Sequence, residues 1–119
     1  YFCEKNGYLY AVTKTGSLKW KDESATSYIY SGFALDNAGT AYISQYVTPF
    51  SLLAFDASGN RSEYTSIGSQ TMSPVTIGPD QRLYYGKNGE FCAIGLSEPA
   101  ATVGWPMRGG NAQGSNSLK

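Results

Sequence analysis

The chain has 119 residues, 41% of them hydrophobic and 15% charged, enough for one domain with a core and too apolar for a disordered segment. Nine acidic residues balance nine basic ones, so no summed field draws the chain to nucleic acid or to an anionic membrane surface. It has no histidine, which removes the commonest general base and metal ligand, and no window approaches the roughly 18 unbroken apolar residues of a spanning helix.

Ten tyrosines and fourteen glycines point to β-structure with many tight turns. Period-two alternation runs through the chain and no helical period persists. In order, Tyr8 to Val12 reads as a strand, and Thr15-Gly16 turns it into Leu18 to Lys21. Ile29 to Leu35 is the next strand, and Asp36-Asn37-Ala38-Gly39 is a hairpin turn into Thr40 to Ser44. Leu52 to Phe55 follows a loop containing Pro49, and Asp56-Ala57-Ser58-Gly59 turns it into Arg61 to Tyr64. The cycle restarts with Pro74 to Ile77, a turn at Gly78-Pro79-Asp80-Gln81 and Leu83 to Tyr85; Lys87-Asn88-Gly89 then leads to Phe91 to Ile94. Asp and Asn favour such turns by bonding their own backbone, and Gly by accepting positive φ.

A phrase recurs along these strands. Tyr10-Ala11-Val12, Leu53-Ala54-Phe55 and Cys92-Ala93-Ile94 each set an alanine between two apolar residues, with an aromatic at Tyr1, Tyr42 or Tyr84 upstream. A period near forty marks a repeat architecture, and four short antiparallel strands per repeat make the blade of a β-propeller. The expected fold is therefore all-β, a partial β-propeller of about two and three-quarter four-stranded blades. Residues 1–105 hold a partial blade (1–22) and two further blades (28–65 and 73–105), and 106–119 form a C-terminal tail. The chain starts at Tyr1 without a methionine, so an upstream piece is expected to have been removed, and the chain reads as the C-terminal part of a longer protein. Trp20 and Tyr64 stand at matching positions where a ring can fill the space between sheets. Tyr10, Tyr42 and Tyr84, with Ala11, Ala54 and Ala93, mark the structural repeat, and Trp105 closes the third unit.

Gly7-Tyr8-Leu9-Tyr10-Ala11-Val12, followed by Gly16-Ser17-Leu18-Lys19-Trp20, resembles the repeat of the PQQ-like (pyrroloquinoline-quinone-type) β-propeller family. Ile77 to Gly86 is similar to the strand, turn and strand that open the next blade of that family, and Gly104 to Gly114 resembles a closing segment of its bacterial members. The second repeat departs by placing Tyr64 where the family has tryptophan, and the third has no such residue before the tail. The resemblance implies a bacterial protein outside the cytoplasm. For the quinone-dependent enzymes of this fold it would also imply a calcium held by acidic and amide groups, an aspartate base and a vicinal disulfide. This chain has no adjacent cysteines and no acidic cluster beside a tryptophan. No catalytic, cofactor or metal residue is therefore expected in it.

The remaining signals have structural readings. Cys3 and Cys92 read as half-buried free thiols, since non-adjacent blades seldom bring Cα atoms within about 7 Å. Asp36 to Gly39 and Asp56 to Asn60 lack the alternating oxygens and closing carboxylate of a calcium loop and read as turns. Asp22-Glu23 reads as a solvated pair, Asn60-Arg61-Ser62 fits a glycosylation sequon, and Gly109-Gly110 has no phosphate-binding context. Tyr28, Tyr30, Tyr46 and Phe50 flank loops from which rings could stack on a sugar or anchor a partner. The expected function is a non-enzymatic scaffold or binding module for a protein or glycan. The alternatives are structural blades of an enzyme whose catalytic residues lie upstream, or a fragment whose copies complete a ring.

Overall fold

The computed structural model describes residues 2–3, 8–23, 33–44, 51–66 and 74–102. Within them the protein is all-β, with ten strands in three antiparallel sheets. The first sheet holds β1 (Phe2–Cys3), β2 (Leu9–Val12) and β3 (Leu18–Asp22). The central sheet holds β4 (Phe33–Leu35), β5 (Ala41–Ser44), β6 (Ser51–Phe55) and β7 (Arg61–Ser66). The third holds β8 (Thr76–Ile77), β9 (Arg82–Lys87) and β10 (Glu90–Gly95). Neighbours in each sheet follow chain order.

The register repeats between units. Phe2 lies opposite Tyr10, Ile43 opposite Leu53, and Tyr85 opposite Cys92. One residue further along, Tyr42 faces Ala54 and Tyr84 faces Ala93. The recurring alanine phrase thus occupies the same rung each time.

Four hairpin turns share one hydrogen-bond pattern. The N–H of the first residue donates to the carbonyl four residues on, at Thr13–Ser17, Asp36–Thr40, Asp56–Asn60 and Gly78–Arg82. The N–H of the fourth residue donates back to the first carbonyl, from Gly16, Gly39, Gly59 and Gln81. That fourth residue always has positive φ, the geometry of a turn followed by a glycine bulge. Gln81 adopts it at φ 58° without being glycine. Aspartate at the first position locks the loop, as Asp56 Oδ1 accepts from the Ser58 and Asn60 amides at 2.8 and 2.9 Å. Asn60 Nδ2 donates to the other Asp56 oxygen, so the sequon's amide is engaged within the turn. These bonds hold the Asp56 carboxyl below its ordinary range, the Asn60 side-chain bond contributing most.

The core lies between the sheets. Leu9 of the first sheet packs with Ala41, Ile43, Leu53 and Phe55 on one face of the central sheet. Ala34, Tyr42, Leu52 and Ala54 on its other face pack against Val75, Ile77, Leu83, Tyr85 and Leu96 of the third unit. Every residue of β5 and β6 is buried, so the apolar run Leu52-Leu53-Ala54-Phe55 serves two interfaces at once.

After β10 the chain does not add a fourth strand to the third sheet among the described residues. It returns to the central sheet, where Asn37 N–H donates to Pro99 O and Ala101 N–H donates to Leu35 O, at 2.8 and 2.9 Å. Ala100 pairs antiparallel with Asp36. This clasp covers the edge of β4 that would otherwise lie open.

Phe55, fully buried beneath Trp20, is expected to cost about 3–5 kcal/mol of unfolding free energy when changed to Ala, measured by urea denaturation. Gly89→Ala, at φ +77° with open space around it, should cost about 1 kcal/mol. Gly59→Ala should cost more, because its Cβ would also lie 2.7 Å from Trp20 Cδ2. Equal costs for the two glycines would show that the Trp20 contact carries no constraint.

Candidate functional site: an aromatic groove on the third sheet

Alternation gives each sheet a leading face, toward the next sheet in chain order, and a trailing face toward the previous one. The leading face of the third sheet carries Thr76, Tyr84, Phe91 and Ala93. Thr76 lies opposite Tyr84, and Ala93 pairs with it from the other side. The rings of Tyr84 and Phe91 stack with centroids 5.3 Å apart and planes 18° from parallel. With Pro74, Thr76, Pro79 and Gly86 they line an open, mainly apolar groove of about 520 Å3. Phe91 is 79% exposed.

The groove's polar rim grows from the fourth turn. Tyr84 Oη donates to Asp80 Oδ2 at 2.5 Å, and Arg82 Nε lies 3.9 Å from the same oxygen. The hydrogen bond to Asp80 holds the Tyr84 hydroxyl above its ordinary pKa, with desolvation adding to it. A Cβ on Gly78 would lie 2.6 Å from Asp80 Oδ1 and 2.7 Å from Tyr84 Cε2. Glycine there lets the tyrosine ring lie down on the turn.

The equivalent ring in the central sheet has a different partner. Tyr42 stands six residues after Asp36, as Tyr84 does after Gly78. Its hydroxyl donates to Asp36 Oδ2 at 3.0 Å, while Thr40 N–H donates to Oδ1 at 2.8 Å. Asp36 is buried, and these bonds satisfy the carboxylate inside the core. Burial, then the Asp36 bond, pushes the Tyr42 hydroxyl well above the tyrosine range.

The two large rings on the outer strands each reach the following unit. Trp20 stacks on Phe55 at 6.0 Å, and its Nε1–H donates to Ala57 O at 3.2 Å. Tyr64 meets Tyr42 edge-on at 5.5 Å, and its hydroxyl donates to Gly95 O at 3.3 Å. Their strand positions are not strictly equivalent. Trp20 lies opposite Ala11 just past a bulge, whereas Tyr64 falls in a bulge between the partners of Leu53 and Leu52. The bulge turns Tyr64 toward Tyr42 although it sits one residue later in its repeat.

Of the alanines, Ala11 and Ala54 are buried while Ala93 lies exposed beside the groove. Tyr10 is half-buried on the trailing face of the first sheet, opposite Lys21. Lys21 bonds Glu23 at 2.7 Å in solvent. Cys92 is a half-buried free thiol opposite Tyr85; nothing is described of the Cys3 side chain. Tyr28, Tyr30, Tyr46, Phe50, Trp105 and the tail 106–119 lie outside the described residues. Among the described residues no group of three or more His, Cys, Asp or Glu side chains could hold a metal ion. No helix among them is long and apolar enough to cross a membrane. The groove escaped sequence reading because Phe91 and Asp80 look like ordinary strand and turn residues. The available signal was positional, since Phe91 occupies the repeat position of Leu52.

Comparison with known family models and with curated proteins finds no match to this chain.

The folded protein holds the Tyr42 proton more tightly than the unfolded chain does. Its contribution to stability is therefore full below the ordinary tyrosine pKa of 10.0 and is lost as pH rises above it. Urea midpoints should fall on the alkaline side of that value, and Tyr42→Phe should lessen the fall. An identical alkaline profile in the variant would mean that folding does not hold the Tyr42 proton more tightly.

Proposed function

We propose that this chain is part of a PQQ-like β-propeller and works as a non-enzymatic scaffold, presenting its loops to a protein or glycan in a bacterial protein outside the cytoplasm. The observation that supports the reading is serial packing. A leading face meets a trailing face twice in succession, and at each seam an outer-strand ring reaches into the next unit. Propeller blades pack by this repetition, and a frame held by interlocked seams leaves its loops free to vary. The Tyr28, Tyr30, Tyr46 and Phe50 rings, which the sequence leads one to expect beside loops, are the contacts proposed for the partner.

Titration calorimetry with neutral oligosaccharides of β-linked glucose, N-acetylglucosamine or xylose tests the glycan arm. Binding should be lost in a Tyr28→Ala/Tyr46→Ala variant whose melting temperature is unchanged. Binding that survives in that variant would remove these rings from the site. The scaffold arm predicts that Trp20→Ala costs roughly 1–3 kcal/mol. It should also speed amide exchange at the Ala54–Ala57 end of β6, across the seam from the lost ring.

A further inference from the structure

We propose that the groove on the third sheet is a docking site for a proline-rich peptide in the polyproline II conformation, with Phe91 and Tyr84 as its ring platform. The site is additional to the loop rings proposed above and independent of them.

The groove is lined by residues of the third unit alone, and it arises where that unit departs from the central one. At matching rungs the central sheet carries Ala34, Tyr42 and Leu52, and the third carries Thr76, Tyr84 and Phe91. A branched aliphatic chain thus gives way to a flat ring, and a methyl to a side chain with a hydroxyl. Gly86 stands opposite Phe91 where Ser44 stands opposite Leu52, so that rung places no side chain beside the ring. Gly78 takes the place of Asp36, and the Tyr84 ring lies over the turn instead of bonding a buried carboxylate. The result is a hollow lined by two stacked rings, by Thr76 and by Pro74 and Pro79.

That lining favours one kind of ligand. Sugars bring hydroxyls on every side, and an ordinary extended peptide brings an N–H at each residue; in an apolar groove these groups need partners. Here the wall is mainly apolar. Of its hydroxyls, that of Tyr84 is spent on Asp80 and that of Tyr85 is bonded to Cys92, which leaves Thr76. Proline has no N–H. A polyproline II helix has no internal hydrogen bonds and a solvated backbone, so its apolar rings can enter the groove while its carbonyls face water or the Thr76 hydroxyl. Its preset backbone also loses little freedom on binding. Phe91 is placed to receive it, being 79% exposed with its ring stacked on Tyr84 and the planes 18° from parallel. Aromatic-lined grooves recognise proline-rich segments by packing of this kind. The volume of about 520 Å3 falls within the roughly 300–1,000 Å3 of ligand pockets.

The test is titration calorimetry of the 119-residue chain with a short acetylated polyproline peptide and a glycine–serine peptide of the same length. The polyproline peptide should bind and the glycine–serine peptide should not. Phe91→Ala should weaken binding about tenfold or more at an unchanged melting temperature, since the side chain is exposed. Phe91→Tyr, which keeps the ring, should retain binding. On titration the amide NMR shifts of the unchanged chain should centre on Thr76, Tyr84 and Phe91, a readout that holds even if Phe91→Ala folds poorly. No binding, equal binding of the two peptides, undiminished binding by Phe91→Ala, or shifts centred elsewhere would each overturn the proposal. So would a neutral oligosaccharide whose binding is lost in Phe91→Ala, which would make the groove a glycan site. The Tyr28→Ala/Tyr46→Ala variant separates this site from the loop rings and should bind polyproline as the unchanged chain does. Loss of binding there would move the peptide to the loops and overturn the groove, while failure of the groove alone leaves the loop rings untouched.

Discussion

The two inner strands of the central sheet have no face to give to water. An antiparallel sheet commonly packs one side and solvates the other, but β5 and β6 are buried along their whole length. Leu53 and Phe55 point to the first sheet while Leu52 and Ala54 point to the third. Each neighbour is therefore obligatory, since stripping either one would expose a continuous apolar surface. The rest of the arrangement follows: three layers in chain order, small alanines at the close approach, and rings on the outer strands that span to the next layer.

Polar groups inside such a stack must be matched one by one. Asp36 lies in the core and is held by the Thr40 amide and the Tyr42 hydroxyl, which also fixes the tyrosine ring between β4 and β6. The corresponding turn of the third unit has glycine in the aspartate's place. There the ring settles over Gly78, and its hydroxyl turns to Asp80. The same tyrosine position is thus part of a buried network in one unit and of an open groove rim in the next. What differs is the residue six positions upstream and the sheet that covers it.

The strands and their turns were legible in the sequence because alternation and turn chemistry are local. The alanine phrase marked the shared rung, and Asp-x-x-Gly marked two of the four matching turns. Gly78 to Gln81 was read as a turn, but nothing nearby shows that Gln81 takes the left-handed position. The exposure of Ala93 could not be read either. Its neighbours Cys92 and Ile94 are apolar, as Leu53 and Phe55 are beside Ala54, and the difference lies in whether another layer sits above it. The placement of Tyr64 depended on a bulge, a one-residue choice that the alternation of Arg61 to Ser66 does not encode.

The clasp at Ala100 bears on how the chain is made as well as how it stands. Residues 35–37 leave the ribosome long before 99–101, and pairing across that separation must await the layers between them. During that interval β4 is an edge strand with free donors and acceptors, a template for pairing with another nascent chain. Proline at 99 offers a carbonyl to the clasp but no N–H of its own, so a late-arriving segment bonds that edge without presenting a full edge in turn. Closing the clasp would then also retire an edge open to misassembly during synthesis.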